Sequence, residues 1–167
     1  MRLLFTIAVL ALLTTSCSTP SKKQEEHQDV ADQPVRPINE LPRMTATLIN
    51  RSSVNLHNLK GNTMIILFQP DCDHCQREAQ QIRQHLDNFK DYTLYFISAD
   101  QLPAIEAFGK TYDLLGFENV VFGSTTVDSV ISNFGPVPAP SVYIYSNQKL
   151  VQKFNGEVAI ERILETI

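Results

Sequence analysis

Thr63-Met64-Ile65-Ile66-Leu67-Phe68-Gln69-Pro70-Asp71-Cys72-Asp73-His74-Cys75-Gln76-Arg77-Glu78-Ala79-Gln80-Gln81-Ile82 is the stretch from which the fold of this 167-residue chain is read. Its first six residues show no polar alternation, the pattern of a central strand covered on both faces. Pro70 ends that strand, because proline supplies no ladder N–H. Beyond Cys72 the period changes. Cys75, Ala79, Ile82, Leu86 and Phe89 recur at spacings of four and three, one stripe of an amphipathic helix expected over 72–90. A buried strand running into a helix, with two cysteines at the junction, constrains both topology and chemistry.

Working outward, Tyr92–Ile97 is a second buried strand, and 102–114 is a second amphipathic helix with Pro103 in its first turn. The βαβα order predicts a parallel central sheet with helices on its faces. A short strand around 120–122, a helix over 127–134 and the rigid loop Gly135-Pro136-Val137-Pro138-Ala139-Pro140 follow. Val142–Tyr145 and Leu150–Phe154 flank turn residues and predict an antiparallel hairpin, which makes the sheet mixed. A helix over 157–167 closes the chain. On the other side, 44–49 and 54–56 flank Asn50-Arg51-Ser52-Ser53 and predict an N-terminal β-hairpin.

The first residues carry a different signal. Met1-Arg2 and the apolar run Leu3–Leu13 lead through small residues to Cys17. A membrane span needs roughly 20 apolar residues, so this shorter run predicts a signal peptide over 1–17. Leu13-Thr14-Thr15-Ser16-Cys17 resembles a bacterial lipobox, with Thr14 where an aliphatic residue is usual, and marks Cys17 for lipidation. Residues 18–42 are polar and punctuated by Pro20, Pro34, Pro37 and Pro42. They predict a tether with a reach on the order of 25–30 Å, before a folded domain over 43–167. His27 lies in the tether as a solvated residue. The expected location is extracytoplasmic, on a lipid anchor facing the periplasm, with Ser18 favouring the outer membrane. Of three cysteines, lipidation removes the odd one and leaves the pair Cys72 and Cys75. The hydrophobic fraction of 43% suits a single globular core. A formal net charge of −4 offers no broad basic surface, which excludes nucleic acid as a partner.

Paired thiols at a strand-to-helix junction point to redox chemistry. At a helix start, unpaired N–H groups and the helix dipole stabilise a thiolate, so Cys72 is expected to have a lowered pKa and to act as nucleophile. Cys75, one turn further on the core-facing stripe, is expected to be shielded and to resolve a mixed disulfide. His74 stands between them, close enough to stabilise a thiolate. Asp71 and Asp73 oppose that effect, and Asp71 is expected as the helix N-cap. Glu78 falls roughly 60° from Cys75 around the helix, at the edge of the apolar stripe. There a carboxyl of raised pKa could shuttle the Cys75 proton. The alternatives are a zinc half-site, for which His27, His57 and His85 lack paired spacing, and a passive bridge, whose small loop gains little entropy.

These residues resemble the thioredoxin-like superfamily, specifically the exported redoxin branch that includes membrane-tethered cytochrome-maturation reductases. The resemblance spans 41–167 and rests on the lead-in Leu56-His57-Asn58-Leu59-Lys60-Gly61, the strand Ile65–Phe68, the Cys72–Cys75 motif, and Ala139-Pro140-Ser141 before the hairpin. It implies a three-layer α/β sandwich: a central mixed sheet with helices on both faces and an N-terminal β-hairpin. It implies that Pro140 is the family's cis-proline, which with Ala139 orients an incoming chain. Glu78 matches a glutamate of the cytochrome-maturation relatives, and His74 is similar to the histidine in the Cys-Pro-His-Cys motif of oxidising DsbA-like proteins. The chain departs from the family in lacking tryptophan, with Asp71 and Phe68 in its usual places, and in having Asp73 for the common glycine or proline.

The function so implied is exchange of the Cys72–Cys75 dithiol with extracytoplasmic protein thiols and disulfides, served by a membrane or soluble thiol redox partner. The protein is expected to act as a single copy, with no metal and no organic cofactor. A second expectation, from a different class, is a lipoprotein that holds Cu(I) with the two cysteines and a histidine. A third is a thiol peroxidase, for which Gln69 stands where a threonine or serine is expected.

Overall fold

The computed structural model describes residues 38–167. The expected signal peptide, Cys17, His27 and the tether as far as residue 37 lie outside the described residues. In chain order the elements are β1 (Thr45–Leu48), β2 (Ser53–Asn55), β3 (Asn62–Leu67), α1 (Asp73–Gln84), β4 (Tyr92–Ser98), α2 (Leu102–Thr111), β5 (Val120–Ser124), α3 (Val127–Phe134), β6 (Ser141–Ser146), β7 (Lys149–Asn155) and α4 (Ile160–Leu164). The strands form one seven-stranded sheet in the order β2-β1-β5-β4-β3-β6-β7.

The apolar run of β3 earns the most protected place in that sheet. It pairs parallel with β4, Ile66 opposite Phe96, and antiparallel with β6, Ile66 opposite Val142. Because successive side chains alternate in direction, β3 feeds two cores. Met64, Ile66 and Phe68 face Cys75, Ala79 and Ile82 of α1, Ile105 and Phe108 of α2, and Ile160 and Ile163 of α4. Ile65 and Leu67 face the opposite way, toward Leu41, Met44, Leu56, Ile97 and Tyr143, with Val130 and Phe134 of α3 packed alongside. Helices therefore cover both faces, and the sheet is mixed as expected. The lead-in hairpin joins through β1, which runs antiparallel to β5. There Gly123 is closely approached by Leu48 and Ala46, and a Cβ would lie 3.1 Å from Leu48 Cδ2.

Four boundaries differ from the sequence reading. The expected tether does not reach residue 42: Leu41 is 3% exposed, the Asn39 side chain donates to the His57 carbonyl at 2.8 Å, and the Glu40 carboxylate accepts from the Leu150 N–H at 2.7 Å. These contacts lie 18 and 110 positions away in sequence, beyond the reach of local composition. The first helix stops at Gln84, and a 3-10 turn over Leu86–Phe89 completes its stripe. The His85 backbone leaves the helical region at φ −113° and ψ 20°, and its ring Nδ1 lies 2.9 Å from the Gln81 carbonyl. The second helix stops at Thr111, and Asp113 adopts a positive φ of 51°. The last helix is five residues long and starts at Ile160, not at 157.

Candidate active site

The end of β3 and the start of α1 are joined by one tight turn. Pro70 and Asp71 occupy its corners, and the Cys72 N–H donates to the Gln69 carbonyl at 3.2 Å. Asp71 is thereby used in the turn and does not cap the helix, against expectation. Cys72 itself is the N-cap, with an extended backbone at φ −91° and ψ 116°. Its sulfur accepts the Cys75 N–H at 3.4 Å, so one of the helix's unpaired donors points at Cys72 Sγ.

Cys72 is partly exposed and Cys75 is buried, at 2%, and both are free thiols. The Cys72 thiol also donates to the Ala139 carbonyl across 3.6 Å. That contact brings the Gly135–Pro140 loop, with a cis Ala139–Pro140 peptide, directly beside the Cys72 sulfur. Burial pushes the Cys75 thiol pKa up, reinforced by its hydrogen bond with Cys72 and by the nearby Cys72 and Glu78 charges.

Glu78 lies one turn beyond Cys75 on the same helix, 2% exposed. Neither of its carboxylate oxygens has a hydrogen-bond partner. Burial raises its pKa to about 8. The neighbouring Glu157 charge adds to the rise, and the nearby Val158 N–H opposes it without completing a bond. A carboxyl without partners and out of water is held in its neutral form up to about pH 8, one helical turn from the equally shielded Cys75 thiol.

His74 goes elsewhere. Its side chain is 62% exposed, and Nδ1 bonds Glu157 Oε2, with Arg77 Nη2 also 2.7 Å from that nitrogen. Arg77 grips Glu157 with two contacts, Nε to Oε1 at 2.8 Å and Nη2 to Oε2 at 2.6 Å. The pair holds the Glu157 carboxyl down to a pKa of about 2, Arg77 contributing most and His74 next. The expected thiolate contact from His74 is absent: the hydrogen-bond partners of Cys72 Sγ are the Cys75 N–H and the Ala139 carbonyl. Sequence reading missed Arg77 and Glu157, which stand 80 positions apart. The other two described histidines bond backbone carbonyls, His57 that of Leu41 and His85 that of Gln81. Among the described residues no three His, Cys, Asp or Glu side chains cluster as metal ligands.

Beyond Ala139 an apolar groove of about 520 Å³ opens between the ends of β3 and β4 and the helix α3, lined by Leu67, Phe68, Ile97, Val127, Ile131 and Ala139 among others. Val127 and Ile131 are unusually open for apolar residues, at 58% and 51%.

Comparison with known proteins adds a frame to this geometry. Residues 37–154 match the AhpC/TSA family. No curated protein matches the chain. Among solved structures, a secreted Mycobacterium tuberculosis disulfide oxidoreductase homologous to Escherichia coli DsbE superposes with a TM-score of 0.64 at 16% identity, covering 74% of this chain and 93% of its own. DsbF of Mycobacterium tuberculosis, solved in mixed oxidised and reduced forms, gives 0.65 at 21%, covering 77% and 95%. Peroxidoxin BcpB of the same organism gives 0.62 at 13%, covering 74% and 90%. The fold is thioredoxin-like, as the resemblance implied.

Proposed function

The chain belongs to the AhpC/TSA family, and from that premise we propose that it is an extracytoplasmic thiol-disulfide oxidoreductase acting on protein thiols and disulfides, held to a membrane by lipid on Cys17. The observation that carries the reading is the stacking of three groups at one helix start: the partly open Cys72 at the N-cap, the buried Cys75 beneath it, and the partnerless Glu78 one turn on.

In the reducing direction, the Cys72 thiolate attacks one sulfur of a substrate disulfide. That S–S bond breaks, a Cys72–substrate bond forms, and the other substrate sulfur leaves as a thiolate. Cys75 then passes its proton to the Glu78 carboxylate and attacks Cys72 Sγ. The mixed disulfide breaks, the Cys72–Cys75 bond forms, and the second substrate thiolate departs, taking up the proton that Glu78 releases. The substrate gains two electrons from the Cys72 thiolate and Cys75 thiol and one proton through Glu78, and its first-released thiolate takes a proton from water. The reverse sequence oxidises a substrate dithiol. A carboxyl with a pKa near 8 suits such a relay, since acid and base forms are both accessible close to neutral pH. Ala139 and Pro140 serve substrate binding: Ala139 borders both the sulfur and the apolar groove, with Pro140 joined to it through the cis peptide, so a polypeptide lying along the groove meets Cys72 at its end.

The test is disulfide turnover with an insulin-type protein substrate. Cys72→Ser abolishes it, and Cys75→Ser accumulates a mixed disulfide visible by mass spectrometry. Retained turnover in Cys72→Ser refutes the reading. Family membership also favours peroxide as an oxidant. Gln69 in place of a hydroxyl residue argues against it, and the same protein is expected to consume hydrogen peroxide no faster than a free thiol.

A further inference from the structure

Residue 74 of the motif is a histidine, and an imidazolium two residues beyond a thiolate at a helix start ordinarily stabilises it and makes the corresponding disulfide more oxidising. In this chain the histidine is already taken. Its Nδ1 bonds Glu157 Oε2, while Arg77 fixes that carboxylate through Oε1 and Oε2. Glu157 arrives from the segment between β7 and α4, so the restraint is applied from a separate part of the chain. We propose that Glu157, oriented by Arg77, is a positioning residue that keeps His74 off the Cys72 sulfur and so withholds its imidazole from the Cys72 thiolate. The inference rests on Cys72 being the attacking thiol of the exchange reaction.

The remaining charges around Cys72 can be named. Asp71 and Asp73 flank it in sequence, and Cys75, Arg77 and Glu78 follow on α1. The loop Gly135–Pro140 packed against it brings no ionisable side chain. Glu157 thus engages both Arg77 and the His74 ring on this side of the thiol. Releasing them from it makes the surroundings of Cys72 more positive, which favours the thiolate and hence the reduced pair. The geometry biases the Cys72–Cys75 couple toward donating electrons, compared with the same motif left uncapped.

A double-mutant cycle separates this from a merely structural role. The full chain carrying Glu157→Gln, His74→Asn, both or neither is reduced, and the pH midpoint of Cys72 alkylation by a small alkylating reagent is measured. His74→Asn alone is expected to leave the midpoint nearly unchanged. Glu157→Gln is expected to lower it by about half a pH unit or more, and His74→Asn in that background to recover part of the shift. In glutathione buffers Glu157→Gln is expected to shift the equilibrium about threefold toward the dithiol. An effect of His74→Asn equal in both backgrounds overturns the proposal, as does a Glu157→Gln midpoint that does not fall. Circular dichroism melting accompanies each variant, so that a loss of fold is distinguished from a shift in titration. Protein-disulfide turnover of the unmodified chain is measured in parallel: its absence refutes the exchange reading, whereas the alkylation cycle reports the His74–Glu157 coupling independently.

Discussion

The chemical role proposed for Glu78 comes with a thermodynamic cost. Its folded pKa of about 8 stands above the ordinary glutamate value of 4.5, so the unfolded chain loses this proton first as pH rises. Stability is complete below about 4.5, falls as pH rises from there to about 8, and is level above. Within that window the slope contributed by this residue is on the order of 1 kcal/mol per pH unit. Denaturant titrations across the window are expected to show that slope in the unmodified protein and to lose it in Glu78→Gln. The same substitution is expected to remove a step near pH 8 from the rate at which Cys75 resolves a mixed disulfide. At this scale the sequence was informative where chemistry is local. Cys72, Cys75 and Glu78 fall into place because one helix carries all of them. Arg77, Glu157 and the diversion of His74 were illegible, because the partner comes from a loop with no signal of its own. Asp71 misled in a different way. Its residue type favours a cap, but Pro70 drew it into the turn and left the cap to sulfur.

Among elements, α1 carries the site and must be held firmly against the sheet. Its apolar stripe does this: Ile82 is fully buried and packs with Ala79, Cys75 and the β3 side chains. Ile82→Ala is expected to cost about 2–5 kcal/mol in urea denaturation, through lost burial and a residual cavity. Thiol exchange at temperatures where the fold survives is expected to change little. Periodicity made α1 and α2 visible because each hides one stripe in a core, and continuous apolar runs made β3 and β4 visible for the complementary reason. Ends were harder. The start of α4 is set by the Gln81 side chain, which accepts the Ile160 N–H at 3.1 Å from 79 positions away, and by the diversion of Glu157 to Arg77. A local reading that places Glu157 inside the last helix has no access to either contact.

At the scale of the whole molecule, the carboxyl ends of β3 and β4, the helix α3 and the proline-rich loop meet around one groove. No periodicity predicts that meeting, since it depends on how four segments converge. If protein substrates lie there, Val127→Ser and Ile131→Ser together raise the KM for a protein disulfide several-fold, on the scale of one or two lost apolar contacts. Reactivity toward a small dialkyl disulfide is expected to stay the same, and steady-state kinetics with the two substrates decides the matter. The outer strand of the sheet deserves its own consequence. β7 is largely exposed, carries Lys149 and Lys153, and its pairing with β6 is irregular between Ile144 and Tyr145. A border of that kind is a poor template for accretion of further strands, because each added copy would juxtapose like charges on a kinked ladder. Neighbouring copies brought close together are thus kept from zipping up along β7, one of the two edges of the sheet.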